Sequence, residues 1–334
     1  MHEGLEDNRE EIVEKIVDVS EVSFSVIIPH YNIPDLLARC VDSIPQRDDI
    51  QVIVVDDHSP DGENYPQMIQ SLRKRNVEFV YAPRHGGAGY ARNLGLEWAL
   101  GKWLIFADAD DFFSEDAWDA FDSNLDNKSD VVYFGFVDVF YDEIGRQSHH
   151  AEWLSKIFEQ CLSSHDYSAL RCRHWIPSSK MIRRAFVEGR AIRFEEVRYS
   201  NDVLFSVKTG CWASSVDVCD RRVYYLTERK GSLSYDLDNK EGELECRALV
   251  ACHAYGIVSK TFPSEKDALY VAQWHLFRLF NEDREAFDRC FLVALDNNVP
   301  CLRTIAYMCW YSHGIKAKMR VIAHSSRLYL ARSL

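Results

Sequence analysis

Three carboxylates follow one apolar segment of the chain. Asp108, Asp110 and Asp111 come directly after residues 102–107 (KWLIFA), whose apolar side chains predict a buried strand. Carboxylates this close together repel one another unless a cation lies among them, and Mg²⁺ and Mn²⁺ prefer oxygen ligands. Such an ion can in turn bridge the phosphate oxygens of a ligand. The alternative is a solvated turn before a helix, because residues 114–116 (SED) favour a helix N-terminus.

Two further acidic residues lie at the ends of predicted elements. Asp57 follows the apolar segment 51–55 (QVIVV) and can accept hydrogen bonds from a base or from ribose hydroxyls, although an Asx turn is the alternative. Asp202 precedes an apolar helical stretch, residues 203–207, whose dipole would hold the carboxylate ionised. An ionised carboxylate in a cleft can act as a general base. Taken alone, Asp202 is better explained as a helix cap.

Glycine and basic residues supply the remaining candidates. The segment 86–89 (GGAG), which contains Gly87, follows a third strand, so it does not fit the dinucleotide fingerprint and indicates close backbone packing. Arg92, in the first turn of the next helix, can pair with the strand-end carboxylates or with a diphosphate. Lys180 forms a basic cluster with Arg183 and Arg184 that could bind phosphate or an acidic acceptor. Most such clusters are solvated surface.

An alternation of strands and helices must position these residues. Apolar segments predict buried strands at 24–29, 51–55, 77–81 and 102–107, and helical periodicity lies between them at 35–44, 65–72 and 90–100. This alternation predicts an α/β fold with a doubly wound, mostly parallel sheet. Ligands of such sheets bind beyond the carboxyl ends of the strands, where Pro29, Tyr31, Asp57 and the Asp108 cluster lie.

The remainder of the chain is less regular and then helical. Residues 130–230 mix strand and helix patterns, and from about residue 238 the pattern is helical. We therefore predict an N-terminal arm over 1–22, an α/β domain over 23–237 and a helical region over 238–334. The last stretch, 315–334, places Met319, Val321, Ile322, Leu328, Tyr329 and Leu330 among Lys and Arg residues. It could lie on an anionic membrane surface, or pack on its own domain.

Composition excludes several classes of protein. The 334 residues carry 39 Lys and Arg against 52 Asp and Glu, a net charge of −13, which argues against a nucleic-acid-binding protein. The ten cysteines form no CxxC pair, so a zinc or dithiol site is not indicated. The acidic start lacks the pattern of a secretion signal, and free thiols suit a cytoplasmic protein.

Four segments, taken in order, resemble the inverting family 2 glycosyltransferases with the GT-A fold. They are FSVIIPHYN, VIVVDDHSPDG, GGAGYARNLGLEWALGKWLIFADADD and YSNDVLFSVKTG, and the resemblance runs from residue 24 to about residue 235. Their order and spacing are more specific than any single motif. The chain departs from the family in two places. It has Asn201-Asp202 where the family usually has Glu-Asp, and Arg84-His85 where Asn commonly precedes the glycines.

The resemblance implies a role for each matching residue. Pro29 and Tyr31 would line the nucleobase pocket, and Asp57 would bond the base, uracil. Asp108 would reach the ribose or the metal network, and Asp110 would coordinate a Mn²⁺ or Mg²⁺ ion on the diphosphate.

Four more residues complete the implied site. Asp202 would take the proton from an acceptor hydroxyl, and Gly87, Arg92 and Lys180 would belong to the nucleotide-sugar site. The implied activity is metal-dependent, inverting transfer from a nucleotide-sugar, a UDP-sugar, to a glycan or lipid-linked glycan, in the cytoplasm or on the inner face of a membrane. One alternative is a catalytically silent glycan-binding or scaffold protein. Another is a sugar nucleotidyltransferase, whose usual basic, glycine-rich first loop is missing here.

Overall fold

The structure, a computed structural model, describes residues 22–60, 62, 77–149, 151–229 and 242–333. A sheet with covering helices extends to Glu228, and five consecutive helices follow from Glu243. Residues 1–21 of the predicted arm, the predicted helix at 65–72 and the predicted boundary near 238 lie outside the described residues.

The described part of the chain contains nine strands in one sheet. They are β1 (Phe24–His30), β2 (Ile50–Asp56), β3 (Val77–Tyr81), β4 (Trp103–Phe106), β5 (Phe112–Phe113), β6 (Val131–Phe140), β7 (Glu143–Gln147), β8 (Lys180–Arg183) and β9 (Val216–Glu228). Their order across the sheet is β3-β2-β1-β4-β8-β6-β9-β5, with β7 beside β6. Six of them, β1 to β4 with β6 and β9, run in one direction, so the predicted mostly parallel α/β fold is confirmed.

The first four strands bring the predicted ligand-binding residues to one edge of the sheet. In the parallel registers His30 lies opposite Asp56, Asp56 opposite Tyr81, and Ile27 opposite Phe106. All residues of β1, β2 and β4 are buried, which explains why they read as continuous apolar runs rather than alternating ones. The residues that follow these three strands therefore meet at the carboxyl edge.

Twelve helices are described. They are α1 (Pro34–Asp42), α2 (Gly87–Trp98), α3 (Ala117–Ser123), α4 (Glu152–Ser164), α5 (Ser168–Arg173), α6 (Arg184–Gly189), α7 (Val203–Trp212), α8 (Glu243–Thr261), α9 (Asp267–Glu282), α10 (Arg284–Asp296), α11 (Cys301–Tyr311) and α12 (Ile315–Ser333). The C-terminal helical region is thus confirmed. No helix among the described residues combines the length and apolar character needed to cross a membrane.

The glycine segment begins helix α2 instead of forming a separate turn, which corrects the predicted start of that helix. Gly87 has a φ of +84°, a conformation that favours glycine. A Cβ on Gly89 would lie 2.2 Å from the backbone oxygen of Glu195, so the helix approaches that backbone closely. The glycines therefore allow the close packing that the sequence indicates.

Apolar packing covers both faces of the sheet and joins it to the C-terminal helices. The two largest clusters lie on opposite sides of β1, one around Val26 and Ile28, the other around Ile27. A third fills the centre of the bundle formed by α8 to α12. A fourth packs α7, through Leu204 and Val207, against α8. This last contact fixes the beginning of α7, where Asp202 lies.

Candidate active site

A cleft of about 1140 Å³ opens at the carboxyl edge of the sheet. Eight of the nine predicted site residues line it: Pro29, Tyr31, Asp57, Gly87, Arg92, Asp108, Asp110 and Asp202. The lining also includes residues of α4, of the segment between α5 and β8, of the segment before α7, and of α8 and α9. The cleft is therefore bounded on one side by the sheet and on the other by the C-terminal helices.

A buried histidine–aspartate pair supports the floor of the cleft. The N–H of Ile33 donates to Nε2 of His30, so Nδ1 carries the ring proton and donates to Oδ2 of Asp56 at 2.8 Å. Oδ1 of Asp56 accepts from the backbone N–H of Ser59 at 2.7 Å. Burial raises the pKa of Asp56, but the hydrogen bonds from His30 and Ser59 outweigh burial and leave the pKa below its usual value. The pair is thus a fixed support for the loops that follow β1 and β2.

Asp57 anchors the glycine segment. Its two carboxylate oxygens accept from the backbone N–H groups of Gly86, at 2.8 Å, and Gly87, at 2.7 Å. Nδ1 of His85 lies 2.8 Å from the same carboxylate. An anion at this position also favours the N-terminus of α2. The alternative of an Asx turn applies to its neighbour Asp56, which accepts from Ser59, while base recognition by Asp57 stays a prediction.

An exposed aromatic side chain, Tyr31, lines the cleft next to the glycine segment. Tyr31 is 46% exposed, and its ring centroid lies 4.5 Å from that of His85. Each of these two exposed aromatic rings offers a flat surface on which a base can stack.

Arg92 connects Asp108 with the segment that carries Asp202. It is 4% exposed, and it donates to Oδ1 of Asp108 at 2.5 Å and to the side-chain oxygen of Asn201 at 2.8 Å. A buried guanidinium paired in this way is held rigidly, because five donors in one plane restrict its orientation. Arg92 therefore sets the position of Asp108 relative to the segment that ends in Asp202.

The three aspartates that follow β4 have three different environments. Asp108 pairs with Arg92, and Oδ2 of Asp110 accepts from Nε of Arg229 at 2.8 Å. Asp111 is 2% exposed, does not line the cleft, and accepts from the backbone N–H of Thr227 at 2.7 Å. Burial, and the neighbouring carboxylates next, raise the pKa of Asp111 well above its usual value. Asp111 thus holds β9 in place, and Asp108 and Asp110 face the cleft.

Asp110 is the candidate metal ligand. Burial raises its pKa, Asp108 adds to that increase, and Arg229 opposes it. No cluster of three or more His, Cys, Asp or Glu side chains in the described ranges is arranged to hold a metal ion. Two carboxylates still fit a Mg²⁺- or Mn²⁺-type site, since such ions take one or two protein carboxylates and complete their shell with substrate phosphates and water.

Asp202 occupies the N-cap position of α7 without capping the helix. Its side chain accepts no capping hydrogen bond, so the cap that its sequence position suggests is not formed. The carboxylate lines the cleft instead. Burial raises its pKa and Asp108 adds to this, whereas Arg92 and Lys180 lower it. A partly buried carboxylate with a raised pKa is the environment in which a proton acceptor is found.

Lys180 does not reach the cleft. It is fully buried in β8, its Nζ donates to the carbonyl of His174 at 2.7 Å, and the ring of Tyr133 lies 5.4 Å from Nζ. Desolvation lowers its pKa to about 7, against an opposing effect of Asp202. The predicted direct contact of Lys180 with a nucleotide is therefore not available in this fold, because the side chain points into the core.

Several cleft residues were missed by the sequence reasoning. Arg229 pairs with Asp110 from 119 residues away. Trp153 and Trp175 lie together, with ring centroids 5.4 Å apart, and both line the cleft with Arg198 and Arg247. No local pattern in the sequence marks these residues, because each comes from a different part of the chain. For Arg229, only its partner Asp110 carries a sequence signal.

The architecture is a GT-A-type glycosyltransferase fold. It aligns with a crystal structure of residues 1–349 of Staphylococcus aureus TarS in complex with UDP-GlcNAc at a TM-score of 0.63, with 23% identity, covering 86% of this chain and 84% of that chain. The same protein with UDP aligns at a TM-score of 0.61 and 22% identity, covering 92% of this chain and 89% of that chain. At this level of identity the similarity establishes the fold.

The sequence is similar to those of known glycosyltransferases. Residues 25–189 match the sequence model of Glycosyl transferase family 2. Two relatives are each 27% identical and cover 63% of this chain. One is the uncharacterized glycosyltransferase EpsJ of Bacillus subtilis (strain 168), the other the poly(ribitol-phosphate) beta-N-acetylglucosaminyltransferase TarS of Staphylococcus aureus (strain Mu50). The matches span 62% and 36% of their respective lengths, less than two thirds in both cases.

Proposed function

We propose that this protein is an inverting glycosyltransferase that transfers a sugar from a UDP-sugar to a hydroxyl group of a glycan or lipid-linked glycan. The observation that carries the proposal is the presence of Asp202 and the Asp108–Asp110 pair in one cleft. Arg92 and Asn201 connect them through two hydrogen bonds. A proton acceptor and a group that handles a diphosphate are the two functions that such a transfer needs.

The nucleotide would lie on the sheet side of the cleft. Tyr31 and His85 offer a stacking surface for the base, and the glycine segment after β3 leaves the backbone free to approach a ligand. The choice of UDP is supported by the crystallised neighbour, whose structures hold UDP-GlcNAc and UDP. The choice of a glycan acceptor is supported by the relative whose name describes transfer to poly(ribitol-phosphate).

A divalent cation would be held by Asp110 together with Asp108. When bound, Mn²⁺ or Mg²⁺ supplies positive charge that stabilises the diphosphate as it leaves. Arg229 lies at the same carboxylate, with its Nε 2.8 Å from Oδ2 of Asp110. Arg229 would turn towards a phosphate oxygen or stay paired with Asp110, and in both positions it adds a cation beside the leaving group.

Asp202 would accept the proton of the acceptor hydroxyl. The oxygen of that hydroxyl then forms a bond to the anomeric carbon, while the bond from that carbon to the diphosphate breaks and its electrons leave with the diphosphate. Attack from the opposite side inverts the configuration. The rigid Arg92–Asn201 contact keeps Asp202 at a fixed distance from the donor, and orientation of this kind contributes strongly to rate.

Calorimetric titration with UDP tests the nucleotide site. We expect binding in Mn²⁺ that weakens in EDTA, and weaker binding of GDP in the same buffer. Incubation with a panel of UDP-sugars should then release UDP by slow hydrolysis even without an acceptor, and NMR of the released sugar would show its initial anomeric configuration. Absence of binding to both nucleotides would contradict the proposal. Metal-dependent binding without turnover on any donor would favour a catalytically silent protein.

A further inference from the structure

The last two helices expose large apolar side chains. Leu302 is 83% exposed and Trp310 is 82% exposed on α11, and on α12 Ile315 is 77% and Met319 65% exposed. Their spacing places them on shared faces, because residues four or seven apart lie on one side of a helix. Leu302, Ala306 and Trp310 follow at intervals of four, and Ile315, Met319 and Ile322 at intervals of four and three.

This face is distinct from the one that packs on the bundle. Val321 and Ser325 are fully buried, and Leu328 packs against the core of the helical region. For Val321 and Leu328, packing on the domain is therefore the alternative that the structure shows. Helix α12 has two apolar faces, and only one of them is covered.

Cations flank the exposed apolar face. At 100° per residue, Lys316, Arg320 and Arg327 fall on one side of the stripe formed by Ile315, Met319 and Ile322. Arg303 lies on α11 beside Leu302. In the part of the chain that the structure describes, none of these four cations forms an ion pair, whereas Arg332 pairs with Asp296. No Asp or Glu follows Asp296 in the sequence, so α11 and α12 themselves carry no acidic side chain.

The chemistry of the face selects its partner. Exposed apolar side chains at the centre with Lys and Arg beside them are typical of helices that lie in the interface of an anionic bilayer. A second copy of this chain is the other possible partner. A symmetric contact between two such faces would bring their cations together, at a cost in free energy. The net charge of −13 resides elsewhere in the chain, and a contact with that surface would not close into a dimer.

We infer that the exposed apolar side chains of α11 and α12, among them Trp310, Met319 and Ile322, bind the surface of an anionic lipid bilayer. The apolar side chains enter the boundary between headgroups and acyl chains, and Lys316, Arg320 and Arg327 contact lipid phosphates. This inference does not depend on the proposed transfer reaction. It adds a location at which a lipid-linked acceptor would be reached.

Vesicle flotation of the full chain tests the inference. We expect the protein to float with vesicles made of equal parts phosphatidylcholine and phosphatidylglycerol, and to stay at the bottom with phosphatidylcholine alone. The triple variant Lys316→Gln, Arg320→Gln, Arg327→Gln should bind the anionic vesicles about 100-fold more weakly, since each surface cation contributes about 1 kcal/mol. Added salt should weaken wild-type binding.

A matched control separates this face from general charge. The control is a triple variant that removes three exposed cations from the α/β part, namely Lys128→Gln, Arg190→Gln, Arg193→Gln. This variant should float like the wild type. The pair Trp310→Ser, Met319→Ser tests the apolar contribution at two exposed positions, where little loss of stability is expected. It should also reduce flotation by at least about tenfold.

Three results would overturn the inference. They are equal binding to neutral vesicles, equal loss in the control variant, and a wild-type dimer in sedimentation equilibrium that Trp310→Ser, Met319→Ser dissociates without any vesicle binding. UDP titration of each variant distinguishes this failure from failure of the proposed transfer, because the face is separate from the cleft residues.

Discussion

Neighbouring residues of one type serve different purposes in this protein according to what surrounds them. Asp108, Asp110 and Asp111 lie within four residues of the sequence, yet Asp111 is buried in the core and the other two face the cleft. Asp56 and Asp57 differ in the same way, one supporting His30 and the other the glycine segment. The residue type alone therefore identifies a set of candidates, and the local partners decide which of them can meet a ligand.

Asp202→Asn should abolish transfer without weakening nucleotide binding. The amide keeps the size of the side chain but cannot accept the proton, so we expect the transfer rate to fall by about 100-fold or more. UDP affinity in Mn²⁺ should stay within about twofold, as measured by calorimetry. Asp119→Asn, an exposed position on α3, is the control. Unchanged turnover in Asp202→Asn would remove this residue from the mechanism.

Asp110→Asn should remove the metal-dependent part of UDP binding. The neutral amide is a poor ligand for a hard divalent ion, so affinity in Mn²⁺ should drop by about tenfold or more, whereas affinity in EDTA should be unchanged. The comparison is Asp111→Asn, which leaves both cleft carboxylates in place. Equal loss in Mn²⁺ and in EDTA would indicate that Asp110 supports the fold of the cleft and not a metal ion.

Among the elements, β8 and α7 place two ionisable residues, Lys180 and Asp202, near the cleft. Lys180 is fully buried in β8, with a backbone carbonyl and an aromatic ring as its contacts. Asp202, at the start of α7, is the carboxylate whose charge opposes the desolvation of Lys180. The strand thus keeps the Lys180 amine near the proposed proton acceptor without giving it access to substrate.

This arrangement predicts a pH-dependent stability difference. The pKa of Lys180 falls from 10.5 to about 7 on folding, so the folded state binds fewer protons than the unfolded state between these values. The contribution of Lys180 to the free energy of unfolding is most favourable above pH 10.5. It decreases as the pH falls towards 7, by up to about 1.4 kcal/mol per pH unit.

Urea denaturation of the wild type and Lys180→Met at several pH values from 7 to 10 measures the effect. The free energy of unfolding of the wild type minus that of the variant should become less favourable as the pH decreases. Phe205→Leu, an apolar change at another fully buried position, is the control and should give a pH-independent difference. A constant difference for Lys180→Met would mean that Lys180 stays charged in the folded protein.

At the scale of the whole molecule, the cleft depends on the contact between the sheet and the C-terminal helices. Helix α7 carries Asp202, and its apolar side packs on Val250, Ala254 and Val258 of α8. Beside this cluster, Sγ of Cys246 donates to the carbonyl of Tyr199 at 3.2 Å. The helical region therefore completes the wall of the cleft in addition to presenting the face of α11 and α12.

Val258→Ala should destabilise the α/β part and the C-terminal helical region together. The side chain is fully buried, and its truncation should cost about 1–3 kcal/mol. Hydrogen exchange followed by mass spectrometry should show the same decrease in protection free energy for peptides from β1 and from α9, as one cooperative unit requires. The control, Val321→Ala, lies within the bundle. Loss of protection in the helical peptides alone would mean that the two parts unfold independently.

The sequence by itself determined strands β1 to β4, their common direction and the edge of the sheet at which the candidate site residues meet. Continuous apolar runs specify buried parallel strands, and the residues that follow β1, β2 and β4 must then lie at one edge. The short strands β5, β7 and β8 were not predicted from the sequence. Strand β5 has only two residues, β7 (EIGRQ) is exposed along its whole length, and β8 (KMIR) has only four residues, so none of them shows an apolar period.

Tertiary structure alone decided which polar side chains meet. Arg229 reaches Asp110, and Arg92 reaches Asn201 from 109 residues away, through contacts that no local spacing encodes. It also decided that Lys180 is buried, and that Val321 faces the bundle while Ile322 faces outward. Burial is a property of what packs on a residue, and neighbouring positions with the same chemistry differ in it once the helices have docked.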